Sequence, residues 1–283
     1  MLTVGGVALL GNLTGLGLTA VPVATAVSGA AELALGLLVL RRAGLLDPHR
    51  ILRGHPEARS LVRAVGIPVG ASYVLLFVLN LLLRSVAPYG AGSVAGFTLG
   101  YTLQSTVIVP AVGCGSAIAV LTNQYDAAGE PDHARRALRT GTGLVAGCYV
   151  LVTLVLLFAG RALVAPLSAD PATVAEAGRF MELVGPTFGC TGLILTLLTA
   201  LEQTGRGAVS VTLNLIYFAA LTGIGAWVAH AEGSSTGLYQ VMAVSAVVGL
   251  LTGGPIAWWL LNRRAGLRGH GAVETAAVLE ESR

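Results

Sequence analysis

Glu32 stands among apolar and small residues in Ala30-Ala31-Glu32-Leu33, nine positions before Arg41-Arg42. At about 1.5 Å of helical rise per residue it sits roughly 13 Å from that basic pair, near the middle of a hydrocarbon core about 30 Å thick. A carboxylate at that depth costs at least about 2.5 kcal/mol on insertion scales, so it must be protonated, paired or turned toward a wet cavity. Two chemistries fit: a proton- or sodium-coupling site, or a hydrogen bond between helices. Other polar groups in apolar surroundings are Asn80, Gln104, Asn123 and Asn214. Gln104, with Tyr101, Thr102 and Ser105 nearby, forms the richest polar patch. Asn80, Tyr101, Gln104, Ser105 and Asn214 are the candidates for lining a substrate cavity. The plainer alternative is interhelical hydrogen bonds of about 0.6 kcal/mol each. Pro110 and Pro186 are hinge candidates, since proline removes a helix donor and kinks the chain.

Tyr73, Phe77, Phe188, Tyr217 and Trp227 offer ring faces for stacking or packing, and Trp258-Trp259 reads as an interfacial belt. Glu182 falls near the outer headgroups beside Arg179, and Glu202 reads as a solvated acid at the opposite end of the same span. The three cysteines, Cys114, Cys148 and Cys190, lie in apolar runs without metal-ligand spacing. No Ser/His pair or His-Glu metal motif points to an enzyme. No cofactor is expected beyond an ion gradient.

What must position these residues is lipid-embedded helix. Only 11% of the 283 residues are charged and 54% are hydrophobic, with a mean hydropathy of +0.78. Soluble domains carry about a quarter charged residues. Apolar runs of twenty or more residues fall at about 18–40, 66–86, 93–122, 140–165, 173–201, 208–230 and 238–261. Backbone in lipid must satisfy itself, so such runs are helices; the alternation of a transmembrane barrel is absent. The fold class expected is all-α, a polytopic bundle of about seven full spans plus an N-terminal half-helix.

Numbering the loops alternately puts Arg41, Arg42, Arg50, Arg53, Arg59, Arg63, Arg135, Arg136, Arg139, Arg206, Arg263, Arg264, Arg268 and Arg283 on one side. Arg84, Arg161 and Arg179 fall on the other. The Arg-rich side is expected in the cytoplasm of a plasma membrane, C-terminus included. All 17 basic residues are Arg, a usage common in GC-rich bacterial genomes. A net charge of +3 serves orientation and does not argue for nucleic acid. The organisation expected is an apolar stub and a first full span over 1–41, a basic linker over 42–65, six helices over 66–264 and a disordered tail over 265–283. Both the first full span and the last end at Arg-Arg-Ala-Gly, a faint repeat.

The segment Gly113–Arg139 reads GCGSAIAVLTNQYDAAGEPDHARRALR, a small-residue helix followed by an Ala-Gly turn and a basic helix start. Together with Gly66-Ile67-Pro68 and Leu201-Glu202-Gln203-Thr204-Gly205-Arg206, its order resembles the multidrug and toxic compound extrusion (MATE) family. The resemblance implies a MATE-like six-helix C-terminal lobe over 66–264, with residues 1–41 ending a first lobe whose earlier helices are absent. That lobe is then expected in cis or as a partner chain. It further implies a cation-coupled antiporter, driven by a proton or sodium gradient, that exports amphipathic or cationic compounds by alternating access. A lipid-linked oligosaccharide flippase of the same superfamily would favour an Arg-dense cavity, and the spans hold almost no arginine. A non-transporting remnant is the other alternative. The second lobe departs from the family pattern: Ser72–Leu76 and Thr187–Thr196 carry no acid.

Overall fold

The computed structural model describes residues 20–42 and 81–281, with isolated positions 66 and 70. All elements among them are helical. One unit, residues 1–60, contains α1 (Ala20–Arg42), an apolar helix that ends on Arg41 and Arg42. The second unit, residues 61–283, begins its described part with a helical stretch over 81–86 and a 3₁₀ turn, Ala87–Tyr89. It continues with α2 (Ala91–Ala127), α3 (Pro131–Val164), α4 (Pro171–Leu183), α5 (Phe188–Leu201), α6 (Gly207–Glu232) and α7 (Ser235–Glu281).

Four stretches among the described residues are long and apolar enough to cross a membrane: Ala91–Ala127, Pro131–Leu167, Gly185–Glu232 and Ser235–Arg263. The third holds 48 residues, about 72 Å if straight and far longer than a bilayer core. It is broken by the π turn Glu202–Arg206, where Gly205 takes φ 86, a backbone region that glycine reaches at no steric cost. The Ser210 hydroxyl donates to Glu202 Oε1 at 2.8 Å. Eight residues of straight helix span about 12 Å, more than these two side chains can bridge, so the chain doubles back. α5 and α6 are therefore separate helices, and the stretch expected as one span over 173–201 is divided into α4 and α5 by the 3₁₀ turn Gly185–Thr187.

The span expected over 66–86 lies mostly outside the described residues. Through the stretch expected to be a disordered tail, α7 runs on to Glu281; Ala, Leu, Glu and Arg there favour helix, and Gly266, Gly269 and Gly271 oppose it.

Local chemistry sets the ends. Asp170 caps α4 by accepting from the Ala172 and Thr173 amides, with Pro171 in the first turn. α6 closes on Gly233, left-handed at φ 61, and the Ser234 amide reaches back to Ala229 O at 3.2 Å. Cross-turn bonds gather the connections into two groups. At one end Asn123 Nδ2 donates to Gln203 O, Gln203 Nε2 donates to Ser116 Oγ, and Arg206 donates to Leu260 O. At the other, the Tyr89 hydroxyl donates to Ala229 O.

Small residues let the helices approach. A Cβ on Gly96 would lie 2.6 Å from Glu176 Cβ and 2.9 Å from the Ala177 amide nitrogen. One on Gly115 would lie 2.6 Å from Thr196 O. Close packing over small residues is how helices associate without a hydrophobic gradient between them. The outward faces are greasy, with Phe158, Leu144, Trp227 and Leu251 all exposed, as a lipid-facing surface requires.

Candidate functional site

Two polar places lie inside the bundle. The first is the α2 face carrying Tyr101, Gln104 and Ser105, which helical periodicity sets on one side. Gln104 is buried, and its Oε1 has no hydrogen-bond partner among the described residues. The Ser105 hydroxyl donates to Tyr101 O at 2.9 Å, so it serves its own helix. The Tyr101 ring is half-buried and stacks on Phe97 at 6.1 Å. Asn214 is buried on α6, and no hydrogen bond joins it to Gln104 among the described residues. Tyr217, three positions on, packs with Tyr101 against the same aromatic core. The structure thus groups Tyr101, Gln104 and Ser105 and leaves Asn214 on a separate helix. Asn80 and the side chain of Glu32 lie outside the described residues. Pro110 sits inside an unbroken α2, and Pro186 sits in the 3₁₀ turn Gly185–Thr187 between α4 and α5.

The second place centres on Glu176, one turn into α4, which sequence reasoning missed. Its carboxylate is buried at 8% exposure. Oε1 accepts from the Tyr239 hydroxyl at 2.8 Å and from the Ser235 hydroxyl; Oε2 accepts from Arg179 at 3.3 Å. The Tyr239 ring lies 5.1 Å edge-on from Phe180 and 6.2 Å from Phe97, which it stacks. An acid is held here by two hydroxyls and a half-exposed guanidinium above an aromatic floor. Its only local signal was the spacing Glu176-x-x-Arg179, the i,i+3 geometry of a helix ion pair; its Ser235 and Tyr239 partners come from a distant helix.

Two other acids, at opposite ends of the bundle, differ from their expected settings. Glu182 pairs with Arg161 at 2.9 Å, because Arg179 is engaged by Glu176. Glu202, expected to be solvated, is buried at 6% exposure, because the turn at Gly205 folds Ser210 over it. Outside the spans, Asp170 is held below the ordinary carboxylate range, first by the Thr173 hydroxyl and then by the Thr173 amide.

The chain resembles known membrane transporters. The MatE family model matches residues 68–228, more than half of the chain. A probable multidrug resistance protein NorM of Aromatoleum aromaticum is 35% identical over 126 residues, covering 43% of this chain and 27% of that protein. In fold, the chain matches the Vibrio cholerae MATE transporter VcmN in its bent form. The TM-score is 0.73 at 16% identity, over 94% of this chain and 61% of that one. It also matches a MOP superfamily transporter from Pyrococcus furiosus, with a TM-score of 0.65 at 17% identity over 75% of this chain and 46% of that one. The chain therefore spans less than two-thirds of the length of these relatives. With an all-helical bundle of this architecture and a family match over its centre, the chain belongs to the MatE family of membrane transporters.

Proposed function

We propose that the chain forms the end of the first lobe and the second lobe of an efflux transporter that exchanges amphipathic or cationic compounds for protons or sodium ions by alternating access. The family match over residues 68–228 carries this reading. The earlier helices of the first lobe complete the cleft, in the same polypeptide or as a partner chain. The substrate path runs past Tyr101 and Gln104. A buried amide oxygen without a donor costs about 1–3 kcal/mol, and a passing cation or N–H group would supply what Gln104 Oε1 lacks among the described residues. The coupling acid is Glu32.

The Arg-rich turns face the cytoplasm of the plasma membrane. A tag at residue 132 should then be labelled only after cells are permeabilised; labelling from outside intact cells would reverse the orientation.

The central test is export of a fluorescent cationic dye, with the first-lobe helices supplied, in the presence and absence of a protonophore or of sodium. Dissipating the driving gradient should stop export, and Glu32→Gln should do the same. Gradient-independent dye levels, equal to those of cells lacking the chain, would refute the exporter.

A further inference from the structure

At the end of the bundle bound together by Gln203 and Arg206, an open pocket of about 490 Å³ lies between the start of α6 and α7. It is lined by Gly205, Arg206, Ala208, Val209, Trp259, Leu260 and Arg263. Both guanidiniums are already placed. Arg206 is tethered to Leu260 O at 3.1 Å, which uses one of its five N–H donors. The Arg263 guanidinium lies 4.1 Å over the Trp259 ring, a cation–π arrangement. No ion pair ties either arginine to a carboxylate among the described residues.

The walls around these cations are apolar. Val209 and Trp259 are exposed, beside Leu260. Two arginines without an ion pair among the described residues, an interfacial indole and a greasy wall at the end of a membrane span match one kind of molecule: an anionic headgroup above acyl chains. A free phosphate would use the arginines and leave the apolar wall in water.

We propose that this pocket binds the phosphodiester headgroup of an anionic phospholipid, with Arg206 and Arg263 on the phosphate and Val209, Trp259 and Leu260 against the upper acyl chains. It rests on the orientation given above only for the leaflet concerned, which is then the inner one. The lipid braces α6 against α7 beside the turn at Gly205.

Native mass spectrometry of the purified full chain, titrated with phosphatidylglycerol or phosphatidylcholine of identical acyl chains, tests the site. The wild type should prefer phosphatidylglycerol. With about 1 kcal/mol per basic residue near a charged surface, the preference should fall about fivefold in Arg263→Gln and about thirtyfold with Arg206→Gln added. An unchanged preference in the double variant overturns the proposal. If loss of the Leu260 tether prevents the double variant from folding, Arg263→Gln alone decides, a fivefold fall supporting and no change refuting. Glycerol 3-phosphate displacing the lipid at equal concentration would also overturn it, assigning the pocket to a soluble anion. No transport is measured, so a chain that exports no dye yet keeps its lipid preference refutes only the exporter reading.

Discussion

At the end of the bundle built by Tyr89, Asp170 and Ser235, the acid Glu176 is drawn inside and surrounded by donors from two helices. At the end built by Gly129, Gly205 and Arg263, Arg206 and Arg263 stay at an open mouth without acid partners among the described residues. The contrast follows from charge chemistry. A carboxylate is compact and accepts several hydroxyl donors in a small volume, so it can be satisfied by neutral groups under cover. A guanidinium carries five donors in a wide fork and is better served by anions and water at the headgroup level. Burial at one end holds helices together, and exposure at the other offers a surface to bind.

The strongest break in this contrast is Gly96→Val. Its Cβ would meet Glu176 Cβ and the Ala177 backbone, so α2 and α4 must separate. We expect about 3 kcal/mol or more of destabilisation, read as lost folded yield in detergent; a normal melting curve would show that the two helices are not in contact. Next is Glu176→Ala, which strands the Ser235 and Tyr239 hydroxyls in the interior. We expect a loss of about 2–3 kcal/mol, with Glu176→Gln recovering part of it, since the amide oxygen still accepts. Equal stability of the three proteins would mean that the acid is not buried.

Gln104→Leu sharpens the distinction between packing and function. Replacing a buried amide whose oxygen has no donor among the described residues should leave stability unchanged or raise it by about 1 kcal/mol, while dye export with the first-lobe helices supplied falls. A drop in stability with export intact would make Gln104 a structural residue. The smallest effect belongs to Asp170→Ala. The Asp170 carboxyl is held below its ordinary range in the folded chain, so its contribution is present above the unfolded carboxylate range and is lost as the pH falls through the folded value. The melting temperature should therefore drop slightly at neutral pH, and the deficit should close in acid. A deficit independent of pH would exclude the ionised cap.

Much of the architecture was legible because lipid imposes it. Apolar runs of fixed length, bounded by Arg41-Arg42 or Arg263-Arg264, can only be spans, and the turn at Gly205-Arg206 announces itself by glycine and charge. The settings of Glu176, Glu182 and Glu202 were not legible. Each depends on which residue from a distant helix arrives beside it, as when Arg179 turns to Glu176 and leaves Glu182 to Arg161. Hydropathy reports how deep a residue lies along its own helix, and it carries no information on rotation about that axis. Gln104 stood out because a cluster of polar residues on one helix face is a local pattern, whereas the Glu176-x-x-Arg179 spacing reads as an ordinary helix ion pair and the hydroxyl partners of Glu176 lie 59 and 63 residues on.

Those 59 residues between Glu176 and Ser235 also measure time. At about 5–20 residues per second, the ribosome needs roughly 3–12 s to make them, and through that interval the nascent carboxylate has only Arg179 at hand. α7 then brings both hydroxyls at once. Until it does, Arg179 alone carries the burden of keeping that carboxylate charged at the edge of the bilayer.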